Sequence, residues 1–299
     1  MSLGLRISFF LVFVSLSLLS CEKEESFAQS ETSEELSNSQ EGVDFENEET
    51  ENTVESDEEV TEPSNELESE FVELVLSYGP RDAVDLNLPS GKKWAAVNIG
   101  ANTPIEDGYY LAWGELQPKD SYEWNTYKYS MGAYNELTKY CTDNRYGYQR
   151  YYENYDDIKY YFEDGAYPLQ LDDDAANHHW GSKWRMPSVK DFQELEKNCT
   201  WTWVKVKNVY GYKIEAENGK FIFLPASESK WNTKRNWENS YGCYWSKDLD
   251  QSQLSDQSLA VYRACILQFT KNGIVKSNGT EYSRSLRSSG HSVRAVLLP

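Results

Sequence analysis

The chain has 299 residues, of which 39% are hydrophobic and 26% are charged, and its formal net charge is −20 at pH 7. Such an acidic chain repels phosphate, and no basic patch is visible along it, so nucleic acid is not an expected partner. The length is sufficient for a substantial hydrophobic core.

The N-terminal residues predict a secretory signal. Residues 5–19 are almost wholly apolar or hydroxylic, with Arg6 as the only charge, and they are followed by Cys21. A spanning helix is less favoured, because the run is shorter than the roughly 20 residues that cross a bilayer. The Leu-Leu-Ser-Cys ending resembles the lipobox of bacterial lipoproteins, which implies that residues 1–20 are removed and that Cys21 carries acyl chains such as palmitate. An ordinary signal peptide with an incidental Cys is the alternative.

An acidic segment follows Cys21 directly. Residues 22–76 contain 21 acidic residues and one Lys, whereas residues 77–299 contain 28 acidic and 27 basic residues. Residues 21–77 therefore carry nearly the whole excess charge and are expected to be a disordered tail. As a random coil, about 50 residues span roughly 40 Å. The acidic start resembles the signal that sends lipoproteins to the surface of some Gram-negative bacteria, which implies an outer-membrane, surface-exposed protein. A solubilising linker is the alternative.

Residues 78–299 are expected to form one domain. Before it, residues 67–77 predict a short helix that leads out of the tail. Residues 94–99 and 109–113 are predicted as buried strands bounded by Gly, and residues 140–167 as long loops with a helical turn near 156–162.

Two helices have N-terminal signals. Three consecutive Asp residues at 172–174 precede Ala175, which predicts a short capped helix. Ser188 and Asp191 form a capping-box pattern, and the apolar residues that follow predict a helix that ends at Asn198 or Cys199.

The remaining sequence predicts strands. Residues 211–217 and 220–224 flank Asn218-Gly219, which favours a hairpin with a type I′ turn. A second hairpin turn is predicted at Asn272-Gly273. Further strands are predicted at residues 243–246, 261–269, 274–275 and 292–298. The order of strands, helices and then more strands predicts the α+β class, with mixed antiparallel sheets, short helices and long loops.

Four cysteines remain after Cys21, at positions 141, 199, 243 and 265. In an exported domain an even number suggests disulfides, with three pairings available. Cys243 and Cys265 lie on neighbouring predicted strands and are the first candidate pair. Buried free thiols are an equal alternative.

Ordered sequence blocks across residues 83–299 resemble the Fibrobacter succinogenes major paralogous domain family. The blocks include Gly-Tyr-Tyr-Leu-Ala-Trp-Gly-Glu (108–115), Trp-Arg-Met-Pro-Ser (184–188), Ile-Phe-Leu-Pro-Ala (222–226) and Ser-Val-Arg-Ala-Val (292–296). The resemblance implies a C-type-lectin-like fold related to the formylglycine-generating sulfatase-modifying domain. Ala96 stands where the family frequently has a Cys, so no disulfide is inferred from the family pattern.

The residues give little support to an enzyme, a metal site or a cofactor. Formylglycine-generating enzymes use two cysteines a few residues apart near the C-terminus, whereas Cys243 and Cys265 are 22 positions apart. Adjacent side chains diverge, so His178 and His179 do not make a metal-binding pair. The calcium-binding motifs of lectins are absent, which argues against calcium-bridged sugar binding.

Three late segments are rich in the residues that form adaptable contact surfaces: 231–237, 248–258 and 277–289. They predict a calcium-independent binding module for a glycan, a peptide or a protein. Solvated loops without a ligand are the alternative interpretation, and a structural or assembly component of an envelope complex or surface appendage is the alternative function. The candidate ligand-binding residues are Trp231, Asn232, Trp237, Tyr282, Arg284 and Arg287.

Overall fold

The computed structural model describes residues 65–148, 168–181, 183–236, 240–252, 260–276 and 282–299, with the backbone alone at 65–68, 235 and 236. They belong to one compact unit, Val60–Pro299. The predicted signal peptide, most of the predicted tail and the helical turn at 156–162 lie outside the described residues.

Three α-helices and thirteen strands are described. The helices are α1 (Asn65–Leu76), α2 (Ala175–Trp180) and α3 (Val189–Asn198). The first six strands are β1 (Ala83–Val84), β2 (Lys93–Ala95), β3 (Trp184–Arg185), β4 (Cys199–Val206), β5 (Val209–Ala216) and β6 (Phe221–Pro225). The others are β7 (Ser229–Trp231), β8 (Lys234–Asn236), β9 (Tyr241–Leu249), β10 (Arg263–Thr270), β11 (Gly273–Ile274), β12 (Ser283–Leu286) and β13 (Val296–Leu297).

The α+β class is confirmed, because short helices accompany sheets whose strand pairs are all antiparallel. One sheet has the order β1-β2-β13-β3, so the last strand lies between two early ones. In a second sheet β10 pairs with β9, β11 and β12. The third sheet has the order β4-β5-β6, and β7 and β8 form a separate hairpin.

The last residues of the chain pass through the core. Arg294 is fully buried, and its guanidinium donates to the carbonyl oxygens of Ala95 and Ala96 and to the Asn98 side chain at 2.8–3.2 Å. Burial lowers the pKa of Arg294 to about 10. Because a buried cation needs close partners, these contacts fix the chain end against the start of the domain.

Both helices predicted from N-terminal signals are confirmed. Asp174 caps α2 by accepting from the backbone N–H groups of Ala176 and Asn177 at 2.9 and 3.0 Å. At α3 the capping box is complete, since Ser188 Oγ accepts from Asp191 N and Asp191 Oδ2 accepts from Ser188 N. The helix ends at Asn198, as the sequence predicts.

Both predicted hairpins form, but their turns differ from the predictions. A type I′ turn needs two residues with positive φ, whereas in the first turn only Gly219 has one, at 75°. The N–H of Gly219 donates to Ala216 O at 2.9 Å, so the connection is a three-residue type I turn with a glycine bulge. In the second hairpin Thr270 pairs with Gly273, which places the turn one residue earlier than predicted.

Two predicted strands are shorter or less regular than expected. Residues 96–99 leave the ladder after β2, and residues 109–113 form only an isolated bridge between Leu111 and His291. Their backbones still bond singly to the C-terminal segment, as in Ile99 N to Val293 O at 3.0 Å. Residues 96–99 and 110–113 are buried, so individual bonds satisfy their backbone groups without a continuous ladder.

Helix α1 is confirmed, and it packs onto the domain. Val75 is buried, and the ring of Phe71 lies 5.4 Å from that of Phe221 on β6. The packed part of the chain therefore begins before residue 78, where the boundary was predicted. Within the described residues no helix has the length and apolar character to cross a membrane.

The predicted Cys243–Cys265 disulfide is wrong, because neither residue forms a disulfide, and Cys141 and Cys199 form none either. Cys243 pairs with Gln268, three residues along β10 from Cys265. At about 3.3 Å per residue this offset is about 10 Å, beyond the reach of a disulfide.

Candidate ligand-binding face

The β7–β8 hairpin carries the most exposed of the predicted binding residues that the structure describes. Trp231 ends β7 with 58% of its surface exposed, more than any other large hydrophobic residue described. Asn232 follows it in the turn with a φ of 56°. Trp237 lies outside the described residues. An exposed Trp on a two-strand hairpin offers a flat apolar surface to a ligand.

The hairpin is held on the core by backbone contacts. Tyr122 and Asn232 exchange N–H to carbonyl hydrogen bonds of 3.0 and 3.1 Å, and Lys230 and Gly290 exchange bonds of 2.8 and 2.9 Å. A Cβ at position 290 would lie 2.8 Å from the buried ring of Tyr122, so only Gly allows this approach. Trp231 is thereby presented from a fixed backbone.

Arg287 is not a surface contact residue, and its prediction as one is corrected. It is fully buried, and its guanidinium donates to Tyr127 Oη and to the carbonyl oxygens of Lys139, Tyr140 and Val261 at 2.9–3.1 Å. The same group lies over the rings of Trp113, Tyr127 and Tyr140. These partners engage the N–H donors of the guanidinium, so Arg287 organises the core beneath the late segments.

Tyr282 is corrected in the same way. Only 3% of its surface is exposed, and its ring lies 6.2 Å from that of Phe192 on α3. Its hydroxyl donates to Glu196 at 3.2 Å. The side chain therefore joins β12 to α3 and is not available to a surface ligand.

Arg284 takes part in a buried ion-pair cluster at the base of the late segments. Asp250, 2% exposed, lies 2.9 Å from Arg284 Nε and 2.9 Å from Arg263 Nη2. Asp250 belongs to the predicted segment 248–258 and Arg284 to the segment 277–289, so the cluster joins their bases. Sequence reasoning missed the role of Arg263, because nothing along the chain links it to Asp250.

A second charged cluster was also missed. Asp173 is 4% exposed and accepts hydrogen bonds from Tyr129, Tyr140 and the Lys139 ammonium at 2.5–2.6 Å. Burial alone would raise the pKa of Asp173, but these donors lower it below its ordinary value. Its neighbour Asp174 caps α2, so the Asp run serves two structural roles.

The thiols are chemically quiet. Burial raises the pKa of Cys199 to about 11 and that of Cys265 to about 12, and it raises that of Cys243 further. At neutral pH these side chains are neutral thiols and weak nucleophiles.

The histidines predicted not to bind metal have other contacts. His179 Nε2 lies 2.7 Å from the carbonyl of Leu116, and His178 Nε2 lies 3.4 Å from Gln117. Among the described residues no group of His, Cys, Asp or Glu is arranged to hold a metal ion.

The structure thus divides the predicted set of ligand-binding residues. Trp231 and Asn232 are exposed on the hairpin, Arg284 is in an ion pair, and Tyr282 and Arg287 are in the core. Residues 290 and 291 connect the hairpin to β12, since Gly290 bonds to Lys230 and His291 Nε2 lies 2.7 Å from Ser285 Oγ. Searches of family models, curated proteins and solved structures gave no match to this chain.

Proposed function

We propose that this protein is a lipid-anchored binding module of the bacterial outer membrane, exposed at the cell surface. It holds a glycan, a peptide or a protein without calcium, through a face centred on Trp231 and Asn232. Acylated Cys21 is the membrane anchor and the acidic tail is the spacer. The module uses no cofactor and catalyses no reaction.

A C-type-lectin-like fold is part of the proposal. It is supported by the ordered sequence blocks across residues 83–299, which resemble the Fibrobacter succinogenes major paralogous domain family. The antiparallel pairing of β2 with β13, which closes the domain at its two ends, is compatible with that fold.

The observation that carries the binding proposal is the exposure of Trp231 on an anchored hairpin. Exposing a Trp to water is unfavourable, and a fixed backbone reduces the entropy that a ligand must overcome on binding. Aromatic residues of this kind supply much of the free energy at protein interfaces.

Replacing Trp231 with Ala tests the binding proposal. The probe is the mature chain with Cys21→Ser, applied to glycan and peptide arrays and to intact bacterial cells. We expect Trp231→Ala to weaken the strongest interaction at least about tenfold, since buried aromatic anchors contribute more than 1.4 kcal/mol. The melting temperature should stay within about 2 °C, because the side chain is exposed.

Met131→Ala is the matched control, because Met131 is 57% exposed and lies in a different segment. Equal binding by the Trp231 and Met131 variants would remove the hairpin from the site. A large loss of stability in Trp231→Ala would assign the residue to packing.

One observation favours the alternative function, an assembly component. Strand β4 forms an eight-residue sheet edge, and an edge strand can pair with a strand of another chain.

A further inference from the structure

Strand β4 has an edge that pairs with no other strand among the described residues. It is the outer strand of the β4-β5-β6 sheet and pairs with β5 over all eight residues, from Cys199–Ala216 to Val206–Val209. Within the described part of the chain, no backbone hydrogen bond is found on its outer side apart from Cys199 N to Leu195 O, which closes α3.

The direction of the β5 backbone shows which groups of β4 point outward. Ala226 N donates to Tyr210 O at 2.8 Å, and Ala216 N donates to Lys220 O at 2.9 Å, so even-numbered residues of β5 face β6. Odd-numbered residues of β5 face β4, and by the register they meet residues 200, 202, 204 and 206. The outward-facing residues of β4 are therefore 199, 201, 203 and 205.

This edge has few of the features that prevent strand pairing. Such features include short length, proline, bulges, inward charges and charged edge residues, above all Lys. β4 is eight residues long, pairs with β5 without a register shift, and has Lys205 as its single charge. Trp201 and Trp203 pack on the ring of Phe269 at 6.5 and 6.3 Å, which holds the edge in place.

We propose that two copies of this chain associate through β4, antiparallel, about a two-fold axis at Thr202. In this register Trp201 meets Trp203 of the second copy. Cys199 meets Lys205 and accepts through its carbonyl oxygen alone, because its N–H already donates to Leu195 O. The result is a continuous six-stranded sheet. Thr202, which is exposed, meets its own equivalent across the axis.

The side chains suit this register. Opposite aromatic residues on paired strands stabilise a sheet, and the register places no like charges opposite each other. Lys205 comes to the Cys199 end of the second copy, where Glu215, Glu217 and Lys197 line the surface beside Cys199. The two carboxylates outnumber the one ammonium there, so the Lys205 ammonium is attracted to that end.

A groove beside the edge of β4 would be covered by the same second copy. It has a volume of about 850 Å³ and lies between α1, with Phe71, Val72 and Leu76, and the residues 203–207 of the chain. Antiparallel pairing brings the Thr200 end of the second copy to this groove. The two-fold axis repeats the contact, so both grooves are covered at once.

A disulfide trap tests the register. In the proposed pair Thr202 faces itself at a non-hydrogen-bonded position, where Cα atoms lie about 4.5 Å apart. Oxidation of the full mature chain carrying Cys21→Ser and Thr202→Cys should therefore give about tenfold more cross-linked dimer than the matched Thr200→Cys variant. Thr200 is displaced by four residues from its own equivalent, about 13 Å, which exceeds the reach of a disulfide.

Sedimentation equilibrium of the same chain, without the added cysteine, gives the independent measurement. We expect a dimer, and we expect Thr202→Lys to raise its dissociation constant about fivefold, because two ammonium groups then face each other. Circular dichroism of the variant should match that of the parent, since Thr202 is exposed. A chain that is monomeric at every concentration, or equal cross-linking of the 200 and 202 variants, overturns the proposal.

Discussion

His291 lies in the core as a neutral imidazole. It is 2% exposed, and its ring lies 4.4 Å from that of Trp245. Burial lowers its pKa to about 3, because a charged ring would lose its hydration there. There is accordingly a range of pH in which His291 binds a proton in the unfolded chain but stays neutral in the folded chain.

The consequence is an acid-sensitive stability. The unfolded chain binds a proton at His291 below about pH 6.5, whereas the folded chain does so only near pH 3, so stability is lost as the pH falls through this window. Each pH unit well inside it costs about 1.4 kcal/mol. Urea denaturation at pH 7 and pH 5 should show the parent losing about 2 kcal/mol more than His291→Asn. Parallel losses in the two proteins would contradict the neutral, buried state.

At the scale of single elements, α3 depends on its N-terminal cap. Ser188 and Asp191 satisfy each other's backbone N–H groups, and the Lys92 ammonium lies 2.5 Å from Asp191 Oδ1. The helix presents Phe192 and Leu195 to the core, both fully buried. The cap therefore fixes the start of a helix whose Phe192 ring packs 5.7 Å from the ring of Trp94 on β2.

Ser188→Ala should lower the free energy of unfolding by about 1 kcal/mol, because alanine lacks the hydroxyl that accepts from Asp191 N and donates to Asp191 Oδ2. Chemical denaturation measures the loss. Ser69→Ala is the control, since Ser69 is an exposed residue inside α1, where alanine is favoured. If both variants lose the same stability, the cap does not govern α3.

Elements with a local signal were predicted well, and elements that depend on distant pairing were not. The α3 capping pattern and the Asn218-Gly219 pair lie within a few residues of the structures they specify. Strand β12 has the polar sequence Ser-Arg-Ser-Leu and was predicted as loop, because its strand character comes from pairing with β10. The β7–β8 hairpin was likewise predicted as loop.

The candidate site was predicted only in part, for a related reason. Tyr, Trp and Arg are typical of binding surfaces, and the same residue types also fill buried polar cores. Trp231 is 58% exposed and Arg287 is 0% exposed, although both were predicted as contacts. The exposure of each residue is set by its neighbours in space, and those neighbours are distant in sequence.

At the scale of the whole molecule, the charge is confined to one part. Residues 22–76 carry a net charge of −20, and residues 77–299 are nearly neutral. Helix α1 contributes Val75 to the packed unit, so the acidic segment joins the domain through an element with its own core contacts. Residues 77–299 consequently carry little of the acidic field that the total charge suggests, whereas α1 adds the exposed Glu70 and Glu73 to the packed unit.

If Cys21 is acylated as proposed, Cys21→Ser should release the protein from the membrane fraction of its native cells, because the substitution removes the thiol that would carry the acyl chains. Fractionation followed by immunoblotting measures the shift. On intact cells the parent should be removed by added protease, while a periplasmic marker protein stays intact. A parent protein that resists protease until the cells are lysed would contradict surface exposure.

The position of β13 between β2 and β3 has a consequence for the order in which the domain folds. Arg294 donates to carbonyl groups that lie 198 and 199 positions earlier in the chain. The first sheet is thus incomplete until β13 has been synthesised, long after β2. Closure over so long a stretch of sequence is slow, because distant segments must meet before their contacts form. The core around Arg294 is consequently completed late, after the segments between β2 and β13 have been made.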